Sequence, residues 1–244
     1  MAANLVELSV VLPVYREQEV IPALAERCFL AALQTGLTFE VVFVDDASDD
    51  ATPDKIRALP AKYRGRLVQL SKNRGQFGAT QRGLLEARGE LVVVLDGDLQ
   101  DPPEIIPALV AAHRRLDGCV APGRRATFAV KRSRHDPSWF VAGRAVFDVL
   151  QRTLGGSLVP RGAGSYCALD RQLAQQVAQV SFSRANLSSV VVALGGSGST
   201  VPYAKQPRYD GHSRVGFLGL CAEAAGSLLL VSPLGRYFLR RAVR

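Results

Sequence analysis

The chain has 244 residues, 48% of them hydrophobic and 21% charged, and its 30 Lys plus Arg against 22 Asp plus Glu give a formal net charge of +8. That balance excludes a disordered or collagen-like chain and leaves ample length for the core of one large α/β domain. Four scattered cysteines without a C-x-x-C pair, and three histidines without metal spacing, argue against a disulfide framework or a zinc or His-rich metal centre, and fit a reducing compartment.

The first half alternates apolar runs with amphipathic stretches. Strands are expected at Ser9–Pro13, Phe39–Asp45, Leu67–Leu70 and Leu91–Leu95. Helices are expected at Pro22–Leu33, from a Thr52 cap to about Leu59, at Gly78–Ala87, and from Asp101 to about Leu116, where Asp101 and Glu104 read as a capping box. The strand runs are continuously apolar, the pattern of a parallel sheet covered on both faces. This β-α-β-α order predicts a doubly wound, Rossmann-like α/β fold. In the second half, Gly123–Ser138 reads as an Arg/Lys-rich loop and Val141–Leu154 as a helix. Gly155–Gly164 reads as a glycine-rich connection and Ser165–Leu169 as a strand. Helices are expected at Arg171–Val180 and Ala185–Leu194, a turn at Gly195–Ser199, an extended segment at Val201–Tyr209 and a helix at Val215–Val231. No internal repeat or long linker appears. The start of the chain does not read as a signal peptide, and no segment reaches the ~18–20 apolar residues of a membrane span.

Three motifs carry chemistry. In LVVVLDGDLQDPPE a buried strand ends in Asp96-Gly97-Asp98, followed by Gln100. Carboxylates at i and i+2 on a parallel strand tip stand where open α/β sheets bind ligands. Two carboxylates and an amide oxygen are hard donors suited to Mg²⁺ or Mn²⁺, which in turn bind a diphosphate. In FVDDASDDAT, Asp45 and Asp46 end another strand, where a carboxylate can accept hydrogen bonds from a base or ribose. In VVLPVYREQE, Pro13 ends the first strand, and Tyr15 and Glu17 follow at the same sheet edge.

Together these motifs resemble the family-2 glycosyltransferases of GT-A fold, and most closely the polyprenyl-phosphate sugar transferases, such as dolichyl-phosphate mannose synthase and undecaprenyl-phosphate glucosyltransferase. The family pattern P-x-Y-x-E is matched by Pro13, Tyr15 and Glu17. V-D-D-x-S-x-D-x-T is matched by Val44, Asp45, Asp46, Ser48, Asp50 and Thr52, with Ala47 where glycine is usual. S-x-N-x-G-x-x-x-A is matched by Ser71, Asn73, Gly75 and Ala79, and D-x-D-L-Q-x-P-P-E by Asp96 through Glu104. The resemblance implies that Pro13, Tyr15, Glu17, Asp46 and Asp96 hold the nucleotide, that Asp98 and Gln100 hold the metal, and that Asp96 and Asp98 serve an inverting displacement without a covalent sugar intermediate. A GT-A domain is expected over 1–214, with a nucleotide-binding half (1–116) and an acceptor-binding half (117–214), followed by an amphipathic basic extension (215–244).

A phosphate acceptor needs no general base, because its second pKa near 6 leaves it anionic at neutral pH, but it does need cations, arginine above all. Arg124, Arg125, Lys131, Arg132, Arg134 and Arg144 offer that pocket. In the resembling enzymes one arginine ends the strand after the metal motif and another opens the next helix, which points to Arg124 and Arg144. Arg208, Ser213 and Arg214 match a later phosphate-binding pattern. Where many relatives carry G-D-F-R, this chain has Gly164-Ser165-Tyr166-Cys167. The expected enzyme is an inverting, metal-dependent transferase moving a sugar from a UDP- or GDP-sugar to a polyprenyl phosphate at the cytoplasmic membrane face. Transfer to a soluble acceptor is the alternative. An anionic membrane surface is an expected partner of the 215–244 segment, self-association stays open, and the carboxylates at Asp46, Asp96 and Asp98 argue against nucleic acid.

Overall fold

The computed structural model describes residues 5–63, 65–132, 145, 147, 149–153, 159–180, 185–206 and 225–242. Seven strands form one sheet: β1 (Leu8–Val14), β2 (Phe39–Asp45), β3 (Arg66–Gln69), β4 (Leu91–Val94), β5 (Arg125–Lys131), β6 (Ala163–Asp170) and β7 (Ser197–Tyr203), in the order β3-β2-β1-β4-β6-β5-β7. All run parallel except β6, which is antiparallel to both β4 and β5. The mostly parallel α/β sheet read from the apolar runs is therefore present.

The side-chain period of two sends alternate residues of each strand to opposite faces. Val10, Leu12, Phe43 and Val93 pack on one face against α1 (Ile21–Leu33) and α4 (Ile106–Arg114). Val11, Val42, Val44 and Val92 pack on the other face, against α3 (Gly75–Glu86), α5 (Arg171–Ala178) and α6 (Leu187–Ala193). A short helix, α2 (Thr52–Arg57), leads toward β3, and residues 149–153 and 225–231 are also helical. The last helix, α7 (Pro233–Ala242), buries Leu239 in the second core.

Four expectations need correction. Gly123–Ser138 is not all loop, because Arg125–Lys131 is β5; its cationic ends flank Ala126, Thr127, Phe128 and Ala129, all buried. The turn expected at Gly195–Ser199 gives way to β7, whose Gly198 lies so close to β5 that a methyl group there would meet the Ala126 carbonyl oxygen. Thr52 caps no helix; its hydroxyl accepts the Glu17 amide at 2.8 Å. The capping box is absent as well: a 3₁₀ turn at Pro103–Ile105 starts the helix, Asp101 accepts the Tyr203 hydroxyl, and Glu104 pairs with Arg27.

At the end of the sheet where β4 begins, buried Asp170 ties β5 and β6 to α4. Its carboxylate accepts the Gly123 amide (2.7 Å), the Arg125 amide (3.1 Å) and guanidinium Nε (3.0 Å), and His113 Nε2 (3.1 Å). Burial pushes the Asp170 carboxyl upward, but the hydrogen bonds from Arg125 and His113 outweigh it and hold the group below its ordinary range. Burial lowers His113, outweighing its bond to Asp170, so the neutral imidazole donates from Nε2 while Thr127 Oγ1 faces Nδ1 at 3.4 Å. Both depressed values make the unfolded chain the better proton acceptor. The His113 contribution is present above its ordinary 6.5 and is lost as pH falls through the lower folded value; that of Asp170 is lost only below 3.8. Urea titrations from pH 8 to 4 are expected to show the wild type losing stability relative to His113→Gln as pH falls below 6.5.

Candidate active site

Because β1, β2, β4 and β5 run one way and β6 the other, the ends of the first four and the start of β6 share one edge. Pro13, Asp46, Asp96, Lys131 and Ser165 therefore meet there, from sequence positions up to 152 apart (165 − 13). β1 and β4 approach closely at this edge. A methyl group on Gly97 would lie 2.7 Å from Val14 Cγ1 and 2.9 Å from the Pro13 carbonyl oxygen, so only glycine lets the strand tip turn between Asp96 and Asp98.

The loops after β1 and β2 are laced together. Asp46 N donates to Val14 O (2.9 Å), Arg16 N to Ser48 Oγ (2.9 Å) and Ala51 N to Gln18 Oε1 (2.9 Å), while the Arg16 guanidinium forks onto Asp49. Pro13 is buried and Tyr15 half-buried, with the Arg16 guanidinium 5.2 Å from the centre of its ring. Asp46 is buried, and its Oδ1 accepts the Arg74 amide at 2.7 Å, holding the start of α3. Burial raises its carboxyl above the usual range, opposed by the Arg74 and Gly75 amides.

Asp96 is the electrostatic centre. Its Oδ1 accepts Gln76 Nε2 at 2.5 Å and Ser165 Oγ at 2.7 Å. Part of the residue's surface stays open, yet the carboxyl is so enclosed by protein that burial, joined by the charges of Asp101 and Asp98, pushes it up to about 7, against the pull of Ser165 and Lys131. Asp98 Oδ1 accepts the Gln100 amide at 3.1 Å across Leu99, which holds a left-handed φ of +58°. The Asp96 and Asp98 carboxylates and the Gln100 side-chain oxygen are hard donors of the kind a divalent cation takes. Among the described residues no three Asp, Glu, His or Cys side chains alone form a metal-binding group, so the protein's own oxygens there make at most a partial shell.

The cations divide. The register pairs Leu91 with Asp170 and Ala126 with Leu169, so the start of β5 lies level with the start of β4, at the edge away from Asp96. Arg124 and Arg125 accordingly do not reach the site. Arg124 Nη1 donates to the Leu194 carbonyl, and Arg125 pairs with Asp170 and Asp117. The residues that end the strand after the metal motif are Lys131 and Arg132. A methyl group built on Gly164 would lie 3.8 Å from Lys131 Nζ, and the positive charge of Lys131 pulls Asp96 down. Arg132 is exposed, its amide bonded to Tyr203 O at 2.9 Å. Arg134, Arg144, Arg208, Ser213 and Arg214 lie outside the described residues.

The motif reading missed Gln76 and Ser165 as partners of Asp96. Gln76 occupies an unspecified place in the Ser71–Ala79 pattern. Ser165 stands at the acidic place of the G-D-F-R pattern of the resembling enzymes, and here its hydroxyl donates to Asp96.

Arg16, Ala47 and Leu99, each just past a strand tip, all hold left-handed φ between +54° and +58°. Ala47 pays a side-chain clash that glycine avoids. Ala47→Gly is expected to raise the unfolding free energy by up to about 1 kcal/mol, as read from urea midpoints, since relief of the clash outweighs the added unfolded-state entropy.

The model of glycosyl transferase family 2 matches residues 9–178. Undecaprenyl-phosphate 4-deoxy-4-formamido-L-arabinose transferase of Serratia proteamaculans is 39% identical over 157 residues, 62% of this chain and 45% of that protein. The same-named protein of Edwardsiella ictaluri is 36% identical over 159 residues, 64% of this chain and 46% of its own. The chain thus spans less than half the length of these relatives. Glucosyl-3-phosphoglycerate synthase from Mycobacterium tuberculosis, solved with Mn²⁺, UDP and glucosyl-3-phosphoglycerate, superposes with a TM-score of 0.63 over 93% of this chain and 80% of that one, at 18% identity, and so shares the fold. With 170 (178 − 9 + 1) of its 244 residues matched and the strand-tip carboxylates on one edge, the chain belongs to glycosyl transferase family 2.

Proposed function

We propose that this chain is an inverting, metal-dependent transferase that moves a sugar from a UDP- or GDP-sugar to a polyprenyl phosphate. The observation that carries the reading is the Asp96–Gln100 turn at the carboxyl end of β4, level with the Pro13–Glu17 and Asp45–Asp46 tips. The nucleoside lies over Pro13, Tyr15, Glu17 and Asp46, and Asp96 orients the sugar-phosphate. A divalent cation, Mg²⁺ or Mn²⁺, held by Asp98 and Gln100 would supply charge neutralisation on the departing nucleoside diphosphate. An acceptor phosphate oxygen forms the new bond to the anomeric carbon as the bond from that carbon to the diphosphate breaks, and the nucleoside diphosphate leaves with the electron pair. The acceptor arrives already ionised, so no side chain has to remove a proton. Lys131 and Arg132 face it with positive charge; this role passes to them from Arg124.

The relatives named above act on undecaprenyl phosphate by name, which supports a lipid acceptor. The C-terminal surface supports it too. Leu234 is 63% and Phe238 60% exposed, beside exposed Leu229, Tyr237 and Arg241, a mixture suited to an anionic leaflet. Among the described residues no helix is long and apolar enough to cross a membrane.

Radiolabelled nucleotide sugars incubated with undecaprenyl phosphate, with and without EDTA, are expected to give lipid-linked sugar only with free metal. No lipid product with any common UDP- or GDP-sugar would count against the reading, and product on a soluble phosphorylated acceptor alone would establish the alternative. Asp98→Asn is expected to lower kcat by a factor on the order of 10² to 10³, the scale of losing a transition-state charge contact. Lys131→Ala is expected to raise KM for the acceptor at least about tenfold, with KM for the donor changing less, through loss of a charge-assisted contact. A larger rise in KM for the donor than for the acceptor would place Lys131 on the donor instead.

A further inference from the structure

The Asp96–Glu104 loop is gripped from outside its own strand by residues of α1, of β6 and of the end of β7. Tyr166 Oη donates to the Pro102 carbonyl at 3.1 Å, and Tyr203 Oη donates to Asp101 Oδ1. The two rings meet edge to face with centroids 5.8 Å apart. Just past β7, Gln206 N donates to the Gln100 carbonyl at 2.9 Å. On the far side, Arg27 of α1 forks onto Glu104 at 2.7 and 2.8 Å and reaches Gln206 Oε1 at 3.2 Å. Between the grips lies buried Leu99 in its left-handed conformation. A non-glycine residue held there relaxes unless its surroundings constrain it. Asp98 and Gln100, the two proposed cation ligands, flank that residue directly.

We propose that Tyr203 and the Arg27–Gln206 pair are positioning residues that clamp the strained Asp98-Leu99-Gln100 turn in the geometry that binds the divalent cation. The proposal rests on the metal reading given above. The clamp works as outer partners of metal ligands do: it touches neither cation nor substrate but holds the ligating oxygens in place. It also joins the cation turn to the chain leaving β7, so two parts of the sequence about 100 residues apart are set together.

The test uses Tyr203→Phe, which deletes one hydroxyl and keeps the ring, and Arg27→Ala, which removes a partly exposed side chain. Mn²⁺ uptake is followed by calorimetry with and without UDP, and amide hydrogen exchange is followed across residues 98–104 in the metal-free protein. Each variant is expected to weaken Mn²⁺ binding about 10- to 100-fold and to accelerate exchange in the loop, with exchange in β1 and β4 unchanged. Should Tyr203→Phe leave Asp101 without its donor and lower the yield of folded protein, Arg27→Ala decides. Wild-type Mn²⁺ affinity together with wild-type exchange in the variants overturns the clamp. A wild-type chain that takes up no Mn²⁺ overturns the metal reading instead. In that case the exchange rates alone judge the clamp, faster exchange supporting it and unchanged exchange rejecting it.

Discussion

Strand direction is the constraint from which the site follows. β1, β2 and β4 pair in parallel, so their carboxyl ends finish at one edge, and the polar residues that follow them, Tyr15, Asp46 and Asp96, come out there together. A single reversed strand, β6, then returns Ser165 to that edge, while β5, parallel to β4, carries Lys131 to it. Reversing β6 alone would carry Ser165 to the far edge and remove from Asp96 one of the two side-chain hydrogen bonds it accepts among the described residues.

Around this edge the polar groups divide into two kinds of work. At the far end, Asp170, His113 and Arg125 form a closed network whose function is cohesion, with each partner saturating the others. At the near end, Asp96, Asp98 and Asp101 bring negative charge together on one turn, and burial together with the charges of Asp101 and Asp98 raises the Asp96 carboxyl to about 7. Strongly perturbed carboxyl groups of this kind gather at functional sites.

Much of this was legible before the fold was known. The Asp96–Glu104 pattern could be read because an uninterrupted apolar run stops abruptly at paired carboxylates, and only a covered parallel strand with a functional tip writes that pattern. The second half was harder. β5 reads RATFAVK, and its flanking charges belong to the two solvent edges of the sheet, so the buried Ala126–Ala129 centre is too short to stand out locally. β7 reads SGSTVPY with mostly uncovered side chains, as an outer strand can, and nothing local separates that from a turn. The sequence points to Arg124 for the same reason: without β5's boundaries, a residue that precedes the strand looks like one that ends it. Asp101 and Glu104 have the spacing of a helix cap, but partners more than 70 positions away, Tyr203 and Arg27, outbid the local backbone.

The Tyr203–Asp101 contact also bears on the order of events during synthesis. Strands β1 to β4 can assemble from the first hundred or so residues as they leave the ribosome, with contacts that are comparatively near in sequence. The contact of Tyr203 with Asp101 forms only once the chain has grown 102 residues past that turn. Under the clamp proposed above, a nascent chain that has not yet reached Tyr203 can hold its first four strands together while the turn bearing Asp98 and Gln100 is still loosely seated.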